Sequence, residues 1–140
     1  MSASKIIKLI KEKEVEYVDL RFTDPRGKLQ HLTMDGKLVD EKMLNDGVFF
    51  DGSSIAGWKA INESDMILKP DLDRQIIDPF TSHNTLVLFC DVLDAVKKTP
   101  YERDPRSIAK KAETYLKKSG IGDKAYFGPE AEFFVFDDVK

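Results

Sequence analysis

A chain of 140 residues is long enough for one well-filled core and too short for two full-sized domains. Its 41% hydrophobic and 34% charged residues are the makeup of an ordinary soluble protein, which excludes a disordered tail or a fibre. A formal charge of −3, with lysines and arginines scattered rather than gathered in a stripe, argues against nucleic acid as a partner.

The chain starts MSASKIIKLIKEKE, where charges interrupt every apolar stretch, so it reads as neither a signal peptide nor a membrane span. Ser4 is the expected cap of a first helix running to about Lys13, with Ile6, Ile7, Leu9 and Ile10 as its apolar stripe. EYVDLRFT then alternates as a half-buried strand, with Tyr17, Asp19, Arg21 and Thr23 opposite Val18, Leu20 and Phe22. Asp24–Gly27, DPRG, has turn chemistry, and KLQHLTM reads as the returning strand of a hairpin. Asp40 is placed to cap a short helix through Leu44, closed by Gly47. VFFDGSSIAGWKAINESDM has few periodic cues and many small residues, and reads as a loop of functional length.

Short strands are expected at Met66–Lys69, near Gln75–Ile77 and at Thr85–Asp91. The last of these holds the single cysteine, Cys90, in TLVLFCDV, where a small core residue is expected. A lone thiol offers no intrachain disulfide, which fits a reducing cytoplasm, the expected location. Asp104 and Pro105 form a strong helix start, and the helix is expected to run through Ile108, Ala112 and Leu116 to a stop at Gly120. KAYFG and AEFFVFDD then read as two strands. A lone helix and two strands cannot close a core, so residues from 101 onward are expected to open a larger domain. The fold class is therefore α+β, with no internal repeat.

Three stretches carry candidate chemistry. Glu130 and Glu132 in GPEAEFF stand at i, i+2, which in a strand puts both carboxylates on one face at roughly 7 Å between Cα atoms. Hard divalent cations take carboxylate oxygens, so the pair suits one ion or two neighbouring ions; the alternative is the solvated face of an amphipathic strand. Phe134 and Phe136 would share that face, which argues that it becomes buried and that the charges are then answered. FDGSS, from Phe50 to Ser54, is either a structural turn or a loop that holds Asp51 out to a cationic or amine-bearing ligand. Trp58, flanked by Gly57 in the same loop, is an interface anchor or a core residue. His31 and His83 have no second ligand at metal spacing, and no phosphate-cradling GxxxxGK[ST] or GxGxxG motif occurs.

YVDLRFTDPRGKLQH, FDGSSIAGWKAINESDM, YERDPRSIAKKAE and GPEAEFF occur in that order, and together they resemble the amino-terminal part of class I bacterial glutamine synthetase. The similarity runs from about Tyr17 to Asp138, and members of that family continue far beyond Lys140. The resemblance implies a β-grasp domain over residues 1–101. Residues 102–140 would then start a catalytic domain built on a large antiparallel sheet. It implies an enzyme that condenses glutamate with ammonia at the expense of ATP, through γ-glutamyl phosphate, with two Mg²⁺ or Mn²⁺ ions. Glu130 and Glu132 match the family's metal ligands. Asp51 matches the aspartate that reaches a neighbouring subunit's site to bind ammonium and favour its deprotonation. Ser54 and Trp58 fall in the same substrate-binding loop. The family assembles as a homo-oligomer, a dodecamer of two hexameric rings, with no nucleic acid or membrane partner. Because the remaining ligand, nucleotide and glutamate residues lie downstream, the 140 residues alone are expected to be inactive. The competing readings are a stand-alone β-grasp interaction module and a γ-glutamyl ligase with a different amine acceptor.

Overall fold

The computed structural model describes residues 1–58 and 64–140. They form two compact units, residues 1–110 and 111–140. In the first, helix α1 (Ala3–Glu12) precedes the hairpin β1 (Tyr17–Thr23) and β2 (Leu29–Asp35), followed by α2 (Glu41–Asp46), β3 (Val48–Asp51), β4 (Asp65–Ile77) and β5 (Thr85–Asp94). Helix α3 (Pro105–Ser119) starts in this unit and ends in the next.

The five strands form one mixed sheet in the order β2-β1-β5-β4-β3. The first and last strands pair in parallel at its centre, Tyr17 opposite Thr85 and Leu20 opposite Leu88, while every other pairing is antiparallel. Alternation decides which face is buried. Val18, Leu20 and Phe22 of β1, Leu86, Leu88, Cys90 and Val92 of β5, and Met66 and Leu68 of β4 join one core. Ile6 and Ile10 of α1 and Leu44 of α2 close it from the helical side. This is the α+β sheet-and-helix arrangement that the alternating and 3.6-residue patterns predict.

Local chemistry sets most boundaries. Gly27, at φ +84, lets the DPRG turn close with its N–H donating to Asp24 O at 3.0 Å. The Asp40 side chain accepts from Met43 N at 2.7 Å and starts α2. Gly47 ends that helix at φ +88, where an added Cβ would also run into the Leu68 carbonyl, so glycine is required twice over. The cap of α1 is Ser2, not Ser4: Ser2 is extended and its hydroxyl accepts from Lys5 N, while the Ser4 hydroxyl pairs with that of Ser2. The helix starts earlier because Ala3 is itself buried in the core.

Two expectations inside the first unit are corrected. Val48–Asp51 is not loop but an edge strand, paired with β4 from Val48 opposite Leu68 to Asp51 opposite Asp65. The separate strands expected at Met66–Lys69 and Gln75–Ile77 are one strand, with a register shift between Pro70 and Gln75. A proline has no N–H for a ladder, and an irregularity at that point absorbs it. Residues 59–63, within the expected loop, lie outside the described residues.

In the second unit, α3 ends at Gly120, φ +71, as expected. The strands expected at KAYFG and AEFFVFDD are not formed. A strand exists by its ladder, and among the described residues no segment pairs with this one, so Phe133, Phe134 and Phe136 stay 69–87% exposed. No helix among the described residues is long and apolar enough to cross a membrane.

Candidate functional site

Asp51 is the last residue of β3 and the cap of a single 3₁₀ turn, Gly52–Ser54. Its Oδ1 accepts from Ser53 N at 2.8 Å and from the Ser53 hydroxyl at 2.6 Å. These two bonds, the side-chain one foremost, hold its carboxyl below the usual carboxylate range, and the Ser64 hydroxyl adds to them. The carboxylate is exposed, stays ionised, and has acceptor capacity left after those donors, since two carboxylate oxygens offer about four acceptor sites. Ser54 is exposed as well.

The loop behind this carboxylate is fixed from below. Gly52 is buried against β4, donates to Ser64 O at 2.7 Å, and leaves no room for a Cβ, which would overlap the Met66 sulfur. Ile55 is buried and its N–H donates to Gly52 O. Trp58 is buried too, at 4% exposure, stacked on Phe22 at 5.6 Å and edge-on to Phe50 and Tyr101. Of the two readings of Trp58 from sequence, the structure places it in the core, where it anchors the loop rather than lining an open surface. Its indole Nε1 has no hydrogen-bond partner among the described residues.

Glu130 and Glu132 belong to the second unit and lie on no strand, so alternation does not set their direction; both are exposed. Phe134 and Phe136 do stay together, ring centroids 6.1 Å apart, but without burying a face. With both carboxylates exposed, burial does not force either glutamate to find a partner. Among the described residues no group of three or more His, Cys, Asp and Glu side chains comes together. Two exposed carboxylates are the right donor type for Mg²⁺ or Mn²⁺ and fill only part of a near-octahedral shell. They fit as a contribution to a metal site.

His31 and His83 are structural. His31 Nδ1 meets Asp19 Oδ1 at 2.8 Å, and His83 Nδ1 meets Glu16 at 3.2 Å beside the Tyr17 ring. Cys90 is fully buried and burial pushes its thiol far above the usual range, so it is no nucleophile. What sequence reading missed is the polar network around Asp19 and the contacts that Tyr101 and Arg103 make to the Asp51 loop. Neither has a motif; each joins residues distant in sequence.

The fold and the sequence both have relatives among known proteins. The model of the glutamine synthetase β-grasp domain matches residues 14–95, and that of the glutamine synthetase catalytic domain matches residues 102–140. Glutamine synthetase of Rhizobium meliloti (strain 1021) is 65% identical over 139 residues, 99% of this chain and 30% of that protein. That of Methylococcus capsulatus is 57% identical over 140 residues, again 30% of its length. Among solved structures, Plasmodium falciparum glutamine synthetase superposes with a TM-score of 0.76 at 25% identity, covering 86% of this chain and 23% of that one. A GmaS/ADP complex, at 0.72 and 20% identity over 81% of this chain, shares the fold. The chain thus spans about 30% of the length of the curated relatives it matches. With a β-grasp sheet, a family match over most of its residues and bacterial relatives this similar, the chain belongs to the glutamine synthetase family.

Proposed function

We propose that the chain is the amino-terminal segment of an ATP-dependent glutamate–ammonia ligase, and that it supplies an ammonium-facing carboxylate and two metal ligands to that enzyme's active sites. Residues 1–101 would be its β-grasp domain and 102–140 the start of its catalytic domain. The observation that carries the reading is the 65% identity over 139 residues to a glutamine synthetase, joined to an exposed, firmly ionised Asp51 on a pinned loop.

The chemistry asked of Asp51 is simple. An ammonium ion is not a nucleophile, because its lone pair is in an N–H bond. A carboxylate within hydrogen-bonding distance binds it, orients it and accepts the proton that frees the lone pair. The ammonia formed then attacks the γ-carbonyl of γ-glutamyl phosphate; a C–N bond forms, the C–O bond to phosphate breaks, and the nitrogen gives up one further proton, which leaves with the phosphate as hydrogen phosphate. The Ser53 donors keep Asp51 anionic until ammonium arrives and fix which way the carboxylate points. In the assembled enzyme, two hexameric rings, this loop would serve a neighbouring subunit's site, with Ser54 beside it. Glu130 and Glu132 would hold Mg²⁺ or Mn²⁺, which when bound neutralises the transferring phosphoryl group. Such an enzyme works in the cytoplasm, where glutamate and ATP are present.

The test is Asp51→Asn in the full-length ligase. A hydrogen bond to a charged group is worth about 1.5–3 kcal/mol, so kcat/KM for ammonium should fall about 10- to 100-fold. KM for glutamate and ATP should stay within about two-fold. An unchanged ammonium dependence would remove Asp51 from the site. Methylammonium as competing acceptor separates ammonia ligation from ligation of another amine.

A further inference from the structure

The segment that leads into α3 grips the far end of the Asp51 loop. Tyr101 is buried, lies edge-on to the Trp58 indole at 5.7 Å, and donates its hydroxyl hydrogen to Trp58 O at 2.9 Å. Two residues later, Arg103 Nη1 donates to Gly57 O at 3.0 Å. The two acceptors are consecutive carbonyls, at a bend where Gly57 takes φ +87. The gripping segment is itself anchored. Tyr101 N donates to Val92 O of β5 at 2.9 Å, and Asp104, fully buried, takes Ser107 N and its hydroxyl to start α3.

From Asp51 the chain therefore meets three fixed points in turn. Gly52 is held on β4, Ile55 and Trp58 sit in the core, and the Gly57–Trp58 carbonyls are tied to residues 101–103. Trp58 N donates to Ile55 O and Ile55 N to Gly52 O, so a shift at the far end passes along successive turns to the residue after Asp51. The Asp51 carboxylate is aimed by Ser53, which lies inside this pinned stretch.

We propose that Tyr101 and Arg103 are positioning residues for Asp51: through the Trp58 and Gly57 carbonyls they set where the acceptor-binding carboxylate stands, and hence the enzyme's affinity for ammonium. This rests on the reading of Asp51 given above. It also makes the segment that joins the proposed β-grasp and catalytic domains, just ahead of α3, a determinant of acceptor binding, although neither side chain touches the acceptor.

The decisive variants are Tyr101→Phe and Arg103→Ala in the full-length ligase, with Asp51→Asn beside them. Tyr101→Phe keeps the ring and its packing on Trp58 and removes only the hydroxyl. Each variant should raise KM for ammonium about 3- to 10-fold, with KM for glutamate and ATP within two-fold and the melting temperature little changed. Arg103→Lys, which restores a donor, should recover part of the ammonium affinity. The inference is overturned if Asp51→Asn weakens ammonium use while Tyr101→Phe and Arg103→Ala leave it within two-fold of the parent. An equal loss towards all three substrates, tracking a fall in melting temperature, also overturns it, since that marks a merely structural role. If Asp51→Asn itself leaves ammonium affinity intact, the reading of Asp51 fails first and the inference falls with it.

Discussion

At the scale of single residues, Asp19 shows how a charge survives burial. It sits on β1 at 4% exposure and accepts from Thr33 Oγ1 at 2.7 Å, His31 Nδ1 at 2.8 Å and Arg21 Nε at 2.7 Å. Arg21 spans onward to Asp78 at 2.6 Å. Burial pushes the Asp19 carboxyl up, and the three donors together outweigh it, so the group lies below the usual carboxylate range. A carboxylate depressed on folding stabilises the protein fully above its unfolded pKa, near 3.9, and loses that contribution as pH falls through its folded value. Asp19→Asn should therefore cost about 2 kcal/mol at pH 7, because it replaces the charged acceptor of three hydrogen bonds with a neutral amide, while Arg21 keeps its pairing with Asp78. Urea unfolding from pH 7 down to 3 should show the gap between parent and variant closing below about pH 4. A gap that persists undiminished at pH 3 would mean that packing, not charge, is what the substitution removes. Sequence placed Asp19 and Arg21 on the polar face of their strand; the other two donors that allow Asp19 to be buried come from β2, and Asp78 after β4 holds Arg21 from the far side, which alternation does not reveal.

Among the elements, α3 depends on an ion-pair staple in its first turns. Arg106 Nε reaches Asp91 on β5 at 2.8 Å and its Nη2 reaches Asp71 on β4 at 2.6 Å, while Lys110 joins Asp91 from one turn further on. Burial works against the Arg106 charge, but the two aspartates outweigh it and raise its pKa; Asp91 is correspondingly held below the usual range despite burial. Removing the guanidinium leaves two carboxylates facing each other across paired strands, so Arg106→Ala should destabilise the first unit by about 2–3 kcal/mol in thermal unfolding. Arg106→Lys should recover less than half of that, because one ammonium cannot present the two separate donors of the guanidinium fork. Equal stability of the Lys and Arg forms would show that simple charge is enough. The start of this helix was legible, since Asp104-Pro105 is a local signal read within one turn. The staple was not, because Asp71 and Asp91 look like ordinary surface carboxylates until β4 and β5 pair.

On the scale of the whole molecule, residues 1–110 have a core of their own and residues 111–140 do not. Tyr126, Phe127, Phe133 and Phe134 all stand more than 80% exposed, which is far more apolar surface than one short segment leaves open without cause. Under the proposed reading, that segment would pair within the larger catalytic domain of the enzyme. Two glutamates without the remaining ligands make a weak metal site, so the 140-residue chain should bind Mn²⁺ only in the millimolar range, and Glu130→Ala and Glu132→Ala should weaken it further. Tight binding indifferent to both changes would place the metal elsewhere. The same chain, given glutamate, ATP and ammonium, should make no glutamine; measurable turnover would show that the site needs less than the reading assumes.

The residues alone dictated what depends on neighbours within a turn or a strand: the α+β class, the hairpin with its DPRG turn, the Asp40 and Asp104 caps, Gly47 and Gly120 as stops, and the buried side of β1. Each follows from backbone sterics or from a period of 2 or 3.6, which act over a few residues. Tertiary structure decided the rest. It made Val48–Asp51 an edge strand, merged two short strands into β4, sank Trp58 into an aromatic cluster and brought Tyr101 and Arg103 to the Asp51 loop. Those outcomes depend on contacts between residues as much as 46 positions apart, as with Arg103 and Gly57, and a contact at that range is fixed by which surfaces pack together rather than by local preference.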